Sequence, residues 1–478
     1  MNKIDIKKIV LAFFIAGCLW SCKVPQAIND VENRPELPTD FGINSDTVSS
    51  GIVPWKQFFT DNNLVTLIET ALNNNQELMI TLQEIEIAKS EVMYKNGKLK
   101  PSVAAKVGVG VDKVGRYTSQ GAGDATTEIK PGKEMPEPLG DFSASLVANW
   151  EVDIWKKLRN SKQAAVKRYL RTVEGKNFVL SSLIAEVADS YYELLALDNQ
   201  LDMTLQYIDL QRNALEVVKI QKQAARGTEL AVKKFEAELA KSQSLEFAIR
   251  QEIVENENKI NALLGRYPQP IVRDKNEFLN LIPASVQTGI PSQLLANRPD
   301  IKQAELELEA AKLDVKVARA EFYPSLDISA QLGLNAFNPV YLVKMPESIL
   351  YSVVGDLAAP LINKSAIRAE FNSANARQIQ TLYEYDQTVL NAYLDVANQM
   401  SKIENMQKVF GFKQIEAKTL NESVGIAQNL FKSSRADYLE VLMTQRDAMD
   451  AKLELIEAKA NQLNAVVDIY KSLGGGWK

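Results

Sequence analysis

No proline occurs between residues 139 and 267, and none from residue 361 to the end, in a chain of 478 residues with 17 prolines. Proline removes an amide donor and clashes with the preceding helical turn, so helix interiors exclude it. Two absences this long predict two pairs of long helices, each pair folded back at a short turn. The apolar spacing agrees. Leu180, Ile184, Val187, Tyr191, Leu194, Leu197, Leu201, Leu205 and Ile208 recur about every 3.5 positions, the step of a coiled-coil seam. Leu382, Tyr385, Val389, Tyr393, Val396, Met400 and Ile403 keep the same step. The first turn is expected at Arg226-Gly227-Thr228, where glycine supplies permissive backbone, and the second near Ser433-Ser434. A helix over 161–225 would be on the order of 100 Å long at about 1.5 Å per residue.

Between the helical stretches the period changes to two. Val103, Ala105, Val107, Val109 and Val111 alternate with small or polar residues, as do Phe142, Ala144, Leu146, Ala148 and Trp150. Leu326, Ile328, Ala330, Leu332 and Leu334 repeat the pattern, and Tyr351, Val353 and Leu357 carry a weaker version. Each reads as a strand with one apolar and one polar face. Residues 115–140, rich in Gly, Thr and Pro, are expected to be a long loop.

The chain repeats internally. Leu78 and Pro101 align with Ile301 and Pro324 at an offset of 223, and Trp150, Asp153, Leu183 and Gly227 align with Leu357, Pro360, Leu390 and Ser434 at 207. The domain reading follows. A signal segment (1–21) and an extended strap (22–63) precede a first repeat (64–265), with a β-hairpin at about 101–150 and a helical hairpin at about 161–264. A linker or equatorial segment (266–290) leads to a second repeat (291–473), with a β-hairpin at about 325–358 and a helical hairpin at about 365–472. A short tail (474–478) closes the chain.

The N-terminus reads as a processed leader. Lys3, Lys7 and Lys8 precede an apolar run from Ile9 to Trp20, and both cysteines follow, Cys18 and Cys22. Both contexts resemble lipoprotein cleavage sites. Cys22 leaves the fuller apolar core and is taken as the lipidated residue, tethering the chain to a membrane. A plain signal peptide with two incidental thiols is the alternative.

The absence of histidine removes the commonest general acid–base group and metal ligand. No phosphate loop or paired-carboxylate motif is present, so neither an enzyme, a metal site nor a cofactor is expected. The net charge of −5 gives no sign of a nucleic-acid partner.

Strands of about ten residues with alternating faces suit a membrane β-barrel. Four strands cannot close one; about eight is the minimum. Either several copies share a barrel or the strands form a soluble sheet against helices. A membrane-anchored coiled-coil scaffold without a pore would explain the seams and the anchor, but not the alternating strands.

The chain resembles the TolC-like family of outer-membrane efflux proteins, in its lipoprotein branch. The resemblance is carried by Gly289-Ile290-Pro291-Ser292, Leu294-Leu295, Arg298-Pro299-Asp300-Ile301 and Ala320-Glu321-Phe322-Tyr323-Pro324-Ser325-Leu326. Trp150-Glu151-Val152-Asp153-Ile154-Trp155, Asp437-Tyr438-Leu439-Glu440-Val441-Leu442 with Gln445-Arg446, and Tyr470-Lys471-Ser472-Leu473-Gly474-Gly475-Gly476-Trp477 complete it. Cys22-Lys23-Val24-Pro25 looks like the mature start in this branch.

The resemblance implies an α+β membrane protein. A homotrimer would form a 12-stranded β-barrel, four strands per chain, continuous with a long α-helical barrel through the periplasm. It implies a passive exit duct in a tripartite efflux system for small molecules, with a periplasmic adaptor protein, an inner-membrane RND-type transporter and outer-membrane lipid as partners. The outlet of a type I protein-secretion system is the rival within that class. It further implies a gate at the helical tips, with Glu440 and Met443 facing the pore, Lys233 placed by the repeat opposite Glu440, and Arg435 and Asp437 nearby. Solvated helix-face charges are the alternative for these. Arg226, Gly227, Thr228, Ser433 and Ser434 are the expected adaptor contacts. Ser434 stands where the family usually has glycine, and Asn363-Lys364-Ser365 lacks the usual Asp-Gly-Gly. Trp150, Trp155, Tyr323 and Tyr351 suit either an interfacial aromatic belt or barrel–helix packing.

Overall fold

A computed structural model describes residues 25–26, 37–41, 48–360, 362, 364–433 and 435–477. Cys18, Cys22, Asn363 and Ser434 lie outside the described residues. The first half runs α1 (Asn62–Asn74), α2 (Gln76–Lys98), β1 (Ser102–Asp112), β2 (Leu139–Val152), α3 (Lys157–Gln223) and α4 (Glu229–Leu263). The second runs α5 (Pro299–Ala320), β3 (Ser325–Ala336), β4 (Ile349–Ala358), α6 (Ser365–Lys432) and α7 (Tyr438–Ser472). Contacts divide the chain into two units, and each half contributes to both. One holds residues 87–169 and 306–382; the other holds residues 33–86, 170–305 and 383–478.

In the first unit the four strands form one antiparallel sheet in the order β1-β2-β3-β4. α3 begins at Lys157 rather than at 161, because the Asp153 carboxylate accepts the amides of Leu158 (2.9 Å) and Arg159 (3.0 Å) and so caps the first turn. The loop between β1 and β2 is more ordered than its composition suggests. Thr118 accepts the Gly121 amide (3.1 Å) and caps a short helix, Ser119–Asp124. Glu128–Lys130 and Lys133–Glu134 then form a small hairpin turned at Gly132, whose φ is 77°. Trp155 stacks on Tyr323 with ring centroids 4.7 Å apart and donates to the Pro324 carbonyl (2.7 Å). Trp150 donates to the Leu99 carbonyl (3.2 Å), while Tyr351 stays exposed. Three of the four expected belt aromatics are therefore held by local packing.

The second unit is a helical bundle. Ile184, Val187, Tyr191 and Leu194, all from the 3.5-residue seam, are buried with Leu64, Ile68, Ile260, Ile456 and Tyr470 in its largest cluster. Ala392 and Val396, from the second seam region, are buried with Phe41, Ile301, Ile469 and Leu473. The cap of α1 is Asp61, which accepts the amides of Asn63 (2.7 Å) and Leu64 (3.4 Å). Segment 266–290 is pinned to the helices. Arg273 bridges Asp198 and Glu257, each at 2.5 Å, and Lys459 donates to the Leu281 carbonyl (2.6 Å).

Arg298 explains the Arg-Pro-Asp motif. Its buried guanidinium holds Asp300 (2.7 Å), Asp395 (3.2 Å) and the Ser472 carbonyl (3.1 Å), joining α5, α6 and the end of α7. The terminal glycines answer to crowding. Gly474 has φ 82°, and a Cβ there would lie 2.6 Å from the Asn297 carbonyl oxygen.

Asp189 of α3 is the misfit of this unit. Its Oδ1 is buried without a hydrogen-bond partner among the described residues, and burial, with Asp468 nearby, pushes its carboxyl up from 3.8 to about 7 despite Lys402, Lys471 and Lys259. A carboxyl raised by folding ionises first in the unfolded chain. It therefore withdraws stability as pH rises from about 4 to about 7. Asp189→Asn is expected to be more stable than the parent at pH 8 by on the order of 4 kcal/mol, and so to melt at a higher temperature there, and to melt equally at pH 4. Thermal melts at the two pH values read the difference; equal melts at pH 8 would contradict it.

Candidate functional site

Two regions qualify, the faces of the sheet and the ends of the helical hairpins. Register decides the faces. Val103, Ala148, Ala330 and Val353 lie in one cross-strand row, and Ala105, Leu146, Leu332 and Tyr351 in the next. This apolar face is open: Val107 is 80% exposed, Val353 76%, Leu332 59% and Leu146 53%. An exposed apolar surface of this kind calls for lipid or a partner. The other face carries rows such as Ser102, Asn149, Ser329 and then Lys106, Ser145, Gly333, with Gln331 donating to Ser145 (3.0 Å). Glu151, Asp327 and Asp356 share one row of it, directly opposite one another. β1 and β4 are the outer strands, each paired on one side only. Among the described residues no helix is long and apolar enough to cross a membrane.

At the first helical tip the left-handed residue is Ala225, with φ 59°, and not Gly227. The Ala225 amide bonds the Lys222 carbonyl (3.0 Å) and the Arg226 amide the Gln221 carbonyl (2.8 Å), the two-bond closure typical of helix C-termini. Gly227 answers to space instead, since a Cβ there would sit 3.3 Å from the Lys222 nitrogen. Thr228 then caps α4 by accepting the Ala231 amide (3.2 Å). A left-handed alanine costs roughly 1 kcal/mol relative to glycine. Ala225→Gly is expected to stabilise this tip by about that amount, read as slower amide exchange over 221–232; faster exchange would contradict it.

At the second tip the Arg435 amide bonds the Leu430 carbonyl (2.9 Å), and the Ser433 hydroxyl donates to the Asn429 carbonyl (3.0 Å). Asp437 caps α7, accepting the amides of Leu439 (2.7 Å) and Glu440 (3.0 Å), while the Glu440 carboxylate accepts the Asp437 amide (3.3 Å). Glu440 and Met443, three residues apart on one helix face, are both exposed. Lys233 does not meet Glu440 within the chain. It pairs with Glu236 (2.8 Å) and Glu229 (3.9 Å) on its own helix, and Glu236 raises its ammonium above the usual lysine range. Partners one turn away on the same helix cost little ordering entropy, so the local pairs form. Lys222 also pairs with Glu229, which holds that carboxylate below its usual range.

Behind the tips, Leu442 packs with Leu215, Val218, Val232 and Phe235, so α7 closes on α3 and α4. A polar layer lies next to it. Gln211 donates to Gln445 (3.2 Å), both buried, and Thr204 Oγ1 has no hydrogen-bond partner among the described residues, while the Tyr207 hydroxyl faces Gln211. The signal was present: Gln211 occupies the seam position between Ile208 and Leu215. A polar residue in an apolar seam fixes register.

Residues 67–266 and 290–475 match the family model described as outer membrane efflux protein. The pyoverdine export outer membrane protein OpmQ of Pseudomonas aeruginosa is 28% identical over 434 residues, 90% of this chain and 89% of that one. The cation efflux system protein CusC of Escherichia coli O6:H1 is 26% identical over 479 residues, 98% of this chain and 99% of that one. A crystal structure of a membrane protein from Pseudomonas aeruginosa shares the fold, with a TM-score of 0.83 at 22% identity, covering 94% of this chain and 100% of that one. With matched segments running through both halves, the chain belongs to the outer membrane efflux protein family.

Proposed function

We propose that three copies of the chain close their sheets into a 12-stranded barrel in the outer membrane, continuous with a helical barrel in the periplasm, and that small molecules leave through it. The observation that carries this is the open four-stranded sheet. Its apolar face is exposed and its outer strands β1 and β4 each lack a neighbour, so a second copy supplies the missing ladder. The polar face then lines the lumen. Cys22 carries the lipid that anchors the assembly. A periplasmic adaptor and an inner-membrane RND-type transporter supply the energy, docking at Arg226, Gly227, Thr228, Ser433 and Ser434. Relatives named for pyoverdine export and for cation efflux match nearly full-length, which supports a duct whose cargo is chosen by the transporter. Cysteines placed pairwise on the outer strands test the closure. Oxidation is expected to give covalent trimers through β1–β4 bonds between copies, and monomers only would contradict it.

The gate lies at the second tip, where three copies of Glu440 and Met443 narrow the pore, with Arg435 and Asp437 beside them and Lys233 on the facing hairpin. Glu440→Gln keeps the cap, because glutamine also accepts the Asp437 amide. The potassium-to-chloride permeability ratio is expected to fall at least twofold with an unchanged melting temperature. An unchanged ratio would remove Glu440 from the gate.

A further inference from the structure

The loop between β1 and β2 does not project from the end of the sheet. Through Ile129 it borders, with the β3–β4 loop, a half-open cleft of about 700 Å³ at the sheet end away from the β2–α3 junction. Its walls include Asp112, Asp141 and Asn335, whose side chains belong to the polar face by register, together with Ile129 from the first loop and Tyr341 and Glu347 from the second. Both loops thus fold over the polar face and leave the apolar face open. The first loop is braced by its own short helix and hairpin and by the Arg116–Glu137 ion pair (3.4 Å). The second is braced by Phe337 packed edge-on against Tyr341, at 5.4 Å between centroids.

We propose that residues 113–138 are an exit-side constriction, separate from the helical tips, which narrows the outer mouth to an acid-walled vestibule favouring cationic over anionic solutes. This rests on the conduit proposed above. Solutes leaving along the polar face must pass between Ile129 and the Tyr341 wall. Asp112, Asp141 and Glu347 line that passage, while Lys344 is its one cation among the lining residues, set 5.2 Å over the Tyr341 ring.

The test approaches from outside, so a closed periplasmic tip does not interfere. Lys106→Cys places a thiol on the polar face, about 20 Å below Asp112 along β1. Val107→Cys places one on the apolar face as a control. Intact cells carrying the full-length chain are treated with a bulky polyethylene-glycol maleimide, and with small cationic and anionic methanethiosulfonates. The bulky reagent is expected to label Lys106→Cys at least tenfold faster once residues 116–136 are replaced by Gly-Ser-Gly. Where that deletion blocks assembly, Ile129→Asp, which keeps the loop length, is expected to speed labelling in the same direction. The small cationic reagent is expected to outrun the anionic one by at least fivefold, and Asp112→Asn with Asp141→Asn and Glu347→Gln to bring the two together. Equal bulky-reagent rates with and without the loop would overturn the constriction while the conduit stands. An unchanged cation preference in the neutralised variant would overturn the acidic vestibule. If even the small reagents miss Lys106→Cys while reaching Val107→Cys, the polar face is no lumen, and conduit and constriction fall together.

Discussion

Arg298→Ala is expected to destabilise the helical unit by about 3 kcal/mol, read as a lower melting temperature of the helical signal. The guanidinium is buried and satisfies Asp300, Asp395 and the carbonyls of Ala392 and Ser472 at once. Its removal takes the cation from the part-buried Asp300 and the half-exposed Asp395 and the donor from the Ser472 carbonyl, and breaking a network centred on a buried charge costs several kcal/mol. Arg298→Lys keeps the charge but not the planar fork, so it is expected to recover only part of the loss. A wild-type melt for the alanine variant would mean that the Arg-Pro-Asp motif holds nothing together.

Leu146→Arg is expected to abolish insertion while leaving the helical unit folded. Leu146 faces Leu332 across β2 and β3 at the centre of the apolar face, and both are exposed in the single chain. Arginine at the midplane of a barrel's lipid face costs about 2–4 kcal/mol, and a trimer would carry three copies. Gln331→Arg, one residue along on the polar face, is expected to insert normally and to alter conductance instead. Membrane fractionation separates the two. Equal insertion would mean that the apolar face does not meet lipid.

Periodicity carried most of the fold. The 3.5-residue seam marked by Tyr191 and Val396 and the alternation through Val107 and Leu332 depend on nearest neighbours in sequence and on one buried or lipid-facing side. Such patterns are visible without the partner that covers them. The departures are tertiary. Ala225 rather than Gly227 takes the left-handed position because the helix runs on to Gln223, and chain composition does not fix where that last turn closes. Lys233 was placed opposite Glu440 by the repeat, but an offset aligns backbone positions and says nothing of which carboxylate a flexible lysine reaches. Glu236 and Glu229 are nearer. Over 115–140 the Gly and Pro content signals a loop, whereas the Thr118 cap and the small hairpin rest on local hydrogen bonds that composition does not show.

Single-channel recording of the purified full-length chain in planar bilayers addresses the conduit most directly. Stable unitary conductance is expected, present in Gln331→Arg at an altered size and absent in Leu146→Arg. A chain that oligomerises and binds membranes but never conducts, in any tip variant, would contradict it.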